Sequence, residues 1–117
     1  AIQPLRILLD PFAALREAVR KTVGSGVDAV VLFGSMARGE ARADSDVDLV
    51  VLAPPGWDGR SELEDVVRAR LGNDCDVLVF TPEAFSRLAA SGEEPVARRI
   101  LADGVALLGS LPKITVA

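Results

Sequence analysis

Two aspartates stand where an apolar strand would be expected to carry none. In the stretch GSMARGEARADSDVDLVV, residues 34–51, Asp46 and Asp48 lead into a run of Val and Leu. Side chains two residues apart on a strand share a face, so the two carboxylates are neighbours, ~6.6 Å apart along the chain. Like charges this close repel, and each loses hydration beside a sheet. A divalent cation between them reverses that balance. Mg²⁺ takes oxygen ligands and is commonly held by one or two carboxylates together with substrate phosphates. The pair therefore predicts a metal ion and a phosphorylated ligand at one place.

A third acid follows the same logic. Asp76 opens DVLVF, again a charge entering an apolar run. If this strand lies beside the one carrying Asp46 and Asp48, three carboxylates can hold two Mg²⁺ ions ~3.5–4 Å apart for an in-line displacement at phosphorus. One ion would bind a triphosphate and the other would lower the pKa of an attacking hydroxyl. The chain has no histidine, which leaves Asp76 as the candidate general base. Asp74, two residues earlier, shares its face and is the alternative third ligand in a shifted register. Upstream, Gly34 lets a phosphate approach the backbone. The first N–H groups of the short helix opened by the helical turn at 35–38 lack internal partners and suit an anion. The Ser35 hydroxyl adds a donor. Arg38, one turn on, is placed for a phosphate or equally for a surface ion pair.

These groups need elements to position them. PFAALREAVRKTV, 11–23, has helical spacing, with Asp10 as cap and Pro11 at the first position. VDAVVLF, 27–33, and DVDLVVLA, 46–53, read as buried strands. Ser61 to Leu71 reads as a helix opened by a Ser61–Glu64 capping box. DVLVF, 76–80, is a third strand, and Thr81-Pro82 starts another helix. Residues 93–103 read as a last helix and 105–109 as a short edge strand. The loop between the first two strands is short for a parallel crossover. The expected fold is therefore α/β of the α+β kind: a small mixed sheet of about four strands, with helices packed mainly on one face. The 117 residues fit a single domain, 1–117, with the motifs in 27–109.

Gly34-Ser35, ten residues, then Asp46-Val47-Asp48 resembles the signature of the DNA polymerase β-like nucleotidyltransferase superfamily. The intervening Ala-Arg-Gly, the Ser45-Asp46 step, the VLVFTPEAF segment and the closing ILADGVALLG are similar to its minimal nucleotidyltransferase (MNT) group. The resemblance implies a nucleotide, ATP by expectation, bound by Gly34, Ser35, Arg38 and Ser45. It also implies Mg²⁺ held by Asp46, Asp48 and Asp76. The implied reaction is transfer of a nucleoside monophosphate to a hydroxyl, with pyrophosphate released. Many MNT proteins pair with a HEPN-domain protein as antitoxin and toxin, and some add AMP to it. So small a chain leaves little room to recognise an acceptor, so a partner protein or a second copy of the chain is expected to present it. Two alternatives remain open at this point: a binding module that blocks a toxin sterically, and a transferase acting on an aminoglycoside-like small molecule.

Composition narrows the rest. Without histidine, Ser-His-Asp triads and His-ligated metals are excluded, and a single cysteine, Cys75, excludes an internal disulfide. A lone Cys, with no signal-peptide pattern, fits a cytoplasmic protein. The net charge of −4 argues against a long nucleic-acid track. Trp57, in a Pro-Gly loop, suits either a nucleobase stack or an anchor on the core. Arg98-Arg99 reads as charge that complements a helix C-terminus.

Overall fold

The computed structural model describes residues 10–40, 42 and 44–112. The elements in chain order are α1 (Ala13–Val23), β1 (Ala29–Phe33), β2 (Val47–Leu52), α2 (Arg60–Leu71), β3 (Cys75–Phe80), α3 (Pro82–Ser91), α4 (Pro95–Asp103) and β4 (Val105–Gly109). The four strands form one sheet in the order β3-β2-β1-β4. β1 pairs antiparallel with both β2 and β4, whereas β2 and β3 run parallel. The sheet is mixed, as the short β1–β2 connection predicts.

The helices do not gather mainly on one face. Leu15 and Val19 of α1 and Leu63 and Val67 of α2 pack on the side formed by Val30, Leu32, Val47, Leu49 and Val51. Phe85 and Ala89 of α3 and Ala97 and Ile100 of α4 pack on Ala29, Val31, Val50 and Leu52. The reason lies in β1 and β2 themselves. Their apolar runs are continuous instead of alternating, and Ala29–Leu32 and Leu49–Leu52 are buried on both sides. A strand that is apolar on both faces needs cover on both.

Side chains from the α1/α2 layer also reach the two outer strands. On β3, the Val77 N–H donates to Glu64 Oε2 at 3.0 Å. On β4, Arg16 donates to the carbonyls of Ala106 and Leu107 at 2.9 and 3.2 Å. Edge strands otherwise offer unpaired backbone groups to other chains. Glu64 thus serves β3, and the Ser61–Glu64 capping box is not formed: α2 begins one residue earlier, after Gly59, with no side-chain cap. α1 likewise begins at Ala13, because Asp10 Oδ1 accepts from Phe12 N–H and holds Pro11 in the preceding turn. The Thr81 cap forms as expected, its hydroxyl accepting from Ala84 N–H at 3.1 Å with Pro82 next.

Glu64→Ala should lower stability by about 1–3 kcal/mol, since the N–H of buried Val77 loses its acceptor. Glu64→Gln, which keeps an acceptor oxygen, should lose less. Urea unfolding of the three proteins checks this order.

Candidate active site

The register brings the acids together. Asp48 is paired with Asp76 on β3 and with Phe33 on β1. Because β2 and β3 are parallel, both carboxylates lie at the N-terminal ends of their strands and on one face, with adjacent strands ~4.8 Å apart. Asp46 precedes β2 by one residue and shares their parity. The face is the one covered by α3 and α4, since Val50 and Leu52 continue the same side of β2. Asp74 is set apart: its carboxylate pairs with Arg68 at 3.4 Å and its carbonyl accepts from Val47 N–H at 2.8 Å. Of the two possible third ligands, the register therefore puts Asp76 beside Asp48.

Asp48 is half-buried, whereas Asp46 and Asp76 are exposed. Burial pushes the Asp48 carboxyl above its ordinary pKa, and the charges of Asp76 and Asp46 push the same way, while Arg38 opposes them. Asp48 is thus a carboxylate with more negative charge around it than the protein neutralises. Among the described residues no group of three acids is already gathered as a metal cage. The donor set is nonetheless oxygen only, which fits a hard cation such as Mg²⁺ that keeps several waters and completes its shell with phosphate.

Beside Asp48 the chain turns sharply. Gly34 has φ +78°, and a Cβ there would run into the Asp48 carboxylate. Both facts require glycine. Residues 35–38 make one turn and no assigned helix: Arg38 N–H donates to the Gly34 carbonyl at 3.3 Å and Glu40 N–H to that of Ser35 at 2.9 Å. The N–H groups of 35–37 precede that first hydrogen bond, which leaves them the arrangement of a helix start without the helix. Arg38 Nε donates to Glu40 at 3.0 Å, so its guanidinium combines the expected ion pair with a place at the site.

A cavity of about 330 Å³ opens here, lined by Phe33, Gly34, Ser35, Arg38 and Asp48 on the strand side. Its other wall is α4, with Val96, Arg99 and Asp103. That wall goes beyond the sequence reading, which treated Arg98-Arg99 only as helix-end charge. Ser45 is not part of the lining. Its hydroxyl accepts from Arg42 N–H at 2.7 Å and its carbonyl from Asn73 Nδ2 at 2.9 Å, so it shapes the loop before Asp46. Trp57 packs against the core on the α1/α2 side, away from the acids, which leaves it an anchor and not a nucleobase stack. Cys75 is buried and its thiol is pushed up to about 12 by burial, so it stays protonated and inert.

A nucleotidyltransferase domain model matches residues 13–70. A solved structure described as a minimal nucleotidyltransferase is 31% identical over 83% of this chain and 93% of its own, with a TM-score of 0.58. The chain belongs to this nucleotidyltransferase domain family and has the fold of nucleotidyl-transferring enzymes. More distant structures share the fold alone. One is a toxin–antitoxin with AMP-PNP, 21% identical over 81% of this chain and 73% of the other, TM-score 0.58. Another is the complex of tri-AMPylated Shewanella oneidensis HEPN toxin with MNT antitoxin, 20% identical over 82% and 67%, TM-score 0.51. No curated protein sequence matches the chain significantly. Among the described residues no helix is long and apolar enough to cross a membrane.

The state of Asp48 has a pH signature. A carboxyl whose folded pKa is raised is penalised when ionised: the penalty is full above the folded pKa and vanishes below the unfolded one. Without metal, Asp48→Asn should therefore melt at or above the wild-type temperature at pH 7, and the gap should shrink as pH falls towards 4. Differential scanning calorimetry in EDTA across that pH range reads the gap.

Proposed function

We propose that the chain is a Mg²⁺-dependent nucleotidyltransferase that moves a nucleoside monophosphate, AMP from ATP by first expectation, to a hydroxyl on a partner protein. The observation that carries the reading is the apposition of Asp48 and Asp76 beside the Gly34 turn. In this reading Asp46, Asp48 and Asp76 hold the metal. When bound, Mg²⁺ would neutralise phosphate charge and acidify the attacking hydroxyl. The turn at 34–38 positions the triphosphate through backbone N–H groups, Ser35 and Arg38. Asp76 accepts the hydroxyl proton. The acceptor oxygen forms a bond to the α-phosphorus, the bond from that phosphorus to the bridging oxygen breaks, and pyrophosphate leaves with the electron pair.

The partner we favour is a HEPN-domain toxin, with this chain as its antitoxin. The fold shared with a toxin–antitoxin structure and with the complex of HEPN toxin and MNT antitoxin supports this. So does the site, which spends its cavity on the nucleotide and leaves the acceptor to come from outside. In this reading the chain works in the cytoplasm beside that toxin.

The test is to incubate the protein with Mg²⁺, a HEPN-domain protein from the same genome, and ATP labelled on either the α- or the γ-phosphate. Label should reach the partner from the α position alone. The double variant Asp46→Asn/Asp48→Asn should reduce transfer at least a hundredfold. Transfer from the γ position would mean a kinase. Toxin neutralised without label, equally by the double variant, would mean steric blocking.

A further inference from the structure

The cavity wall formed by α4 carries a group with no other evident task. Val96, Arg99 and Asp103 line the cavity at i, i+3 and i+7, one stripe of the helix. The adjacent stripe, Ala97 and Ile100, is buried in the core and fixes the rotation of the helix. Arg98 points elsewhere, its Nε donating to the Ala89 carbonyl at 3.1 Å and tying α4 to α3. Arg99 has no carboxylate within ion-pair distance among the described residues, Asp103 included. An exposed arginine without a partner is ordinary, and Arg42, Arg70 and Arg87 share that condition. Arg99 alone among them lines the cavity.

We propose that Arg99 is a second cationic contact for the triphosphate, holding the phosphates from the α4 wall while Ser35 and Arg38 hold them from the turn. This rests on the nucleotide reading above. A triphosphate carries more negative charge than one guanidinium neutralises, and Arg38 is already shared with Glu40 at 3.0 Å and drawn towards Asp48. A guanidinium presents paired donors that match two phosphate oxygens. Asp103 has the wrong sign for a phosphate, so Arg99 is the one residue on this wall suited to the anion. The contact also gives α4 a role in ligand binding, since a bound nucleotide would join the helix to the strand ends across the cavity.

Calorimetric titration of the full chain in Mg²⁺ with ATP, GTP and CTP tests the assignment. Arg99→Ala should weaken every nucleotide that the wild type binds, by roughly tenfold or more and to a similar extent. Arg99→Lys should lose less and Arg99→Glu more. Arg70→Ala, an equal charge change on α2 across the sheet, should stay within about twofold. Melting curves confirm that each variant is folded. Wild-type affinity in Arg99→Ala would overturn the contact while leaving the nucleotide site in place. A loss confined to one base would overturn it by making Arg99 a base reader. A wild type that binds none of the nucleotides would overturn both this proposal and the nucleotide reading on which it rests.

Discussion

The structure turns on one unfavourable contact, two carboxylates placed opposite each other on parallel neighbouring strands. Asp48 and Asp76 are a register pair, and neither is an arrangement that a sheet would favour on its own account. Repulsion across a ladder and partial burial of Asp48 both disfavour the charged state, as the upward push on its pKa records. A fold keeps such a pair where packing elsewhere over-determines it and where the charge is used. Here the packing is the double-sided burial of β1 and β2, which fixes the register to the residue because a one-residue slip would exchange the two faces.

The surrounding elements follow from that fixed pair. Gly34 is required because the Asp48 carboxylate occupies the space where a Cβ would go. The turn at 34–38 then ends β1 at the height of Asp48 and presents the N–H groups of 35–37, which have no hydrogen-bond partner among the described residues, beside it. α3 and α4 pack on the face from which the acids project, and α4 forms the far wall of the cavity that Asp48 lines, while Asp46 and Asp76 stay exposed outside that lining. The opposite layer, α1 and α2, contributes no lining residue. Its part is to bury the other face and to occupy the sheet edges through Arg16 and Glu64. One face holds the site and the other holds the strands in register.

Much of this was legible in the sequence, for a physical reason. A charge inside an apolar run is a local signal, and strand parity carries it directly to a face. Asp46, Asp48 and Asp76 could therefore be placed together before any fold was known, and the short β1–β2 loop announced a mixed sheet. What could not be read locally was the layer each helix joins. The amphipathic pattern of 95–103 says that α4 packs on something, but not that it faces Asp48 across a cavity, so Arg99 reads from the sequence as helix-end charge. Glu64 shows the same limit. Ser61 and Glu64 have the spacing of a capping box, yet Glu64 bonds a strand thirteen residues away. Ser45 and Trp57 differ for a related reason: a polar or aromatic residue near a motif can serve the loop or the core instead of the ligand, and only the three-dimensional neighbours decide.

The most direct test of the account is a crystal structure of the protein with AMP-PNP and Mn²⁺, with the metal located by its anomalous scattering. The account predicts metal bound to Asp46, Asp48 and Asp76 on the α3/α4 face, with the phosphates against the turn at 34–38. Nucleotide and metal bound away from these three carboxylates, or on the Trp57 side of the sheet, would contradict it.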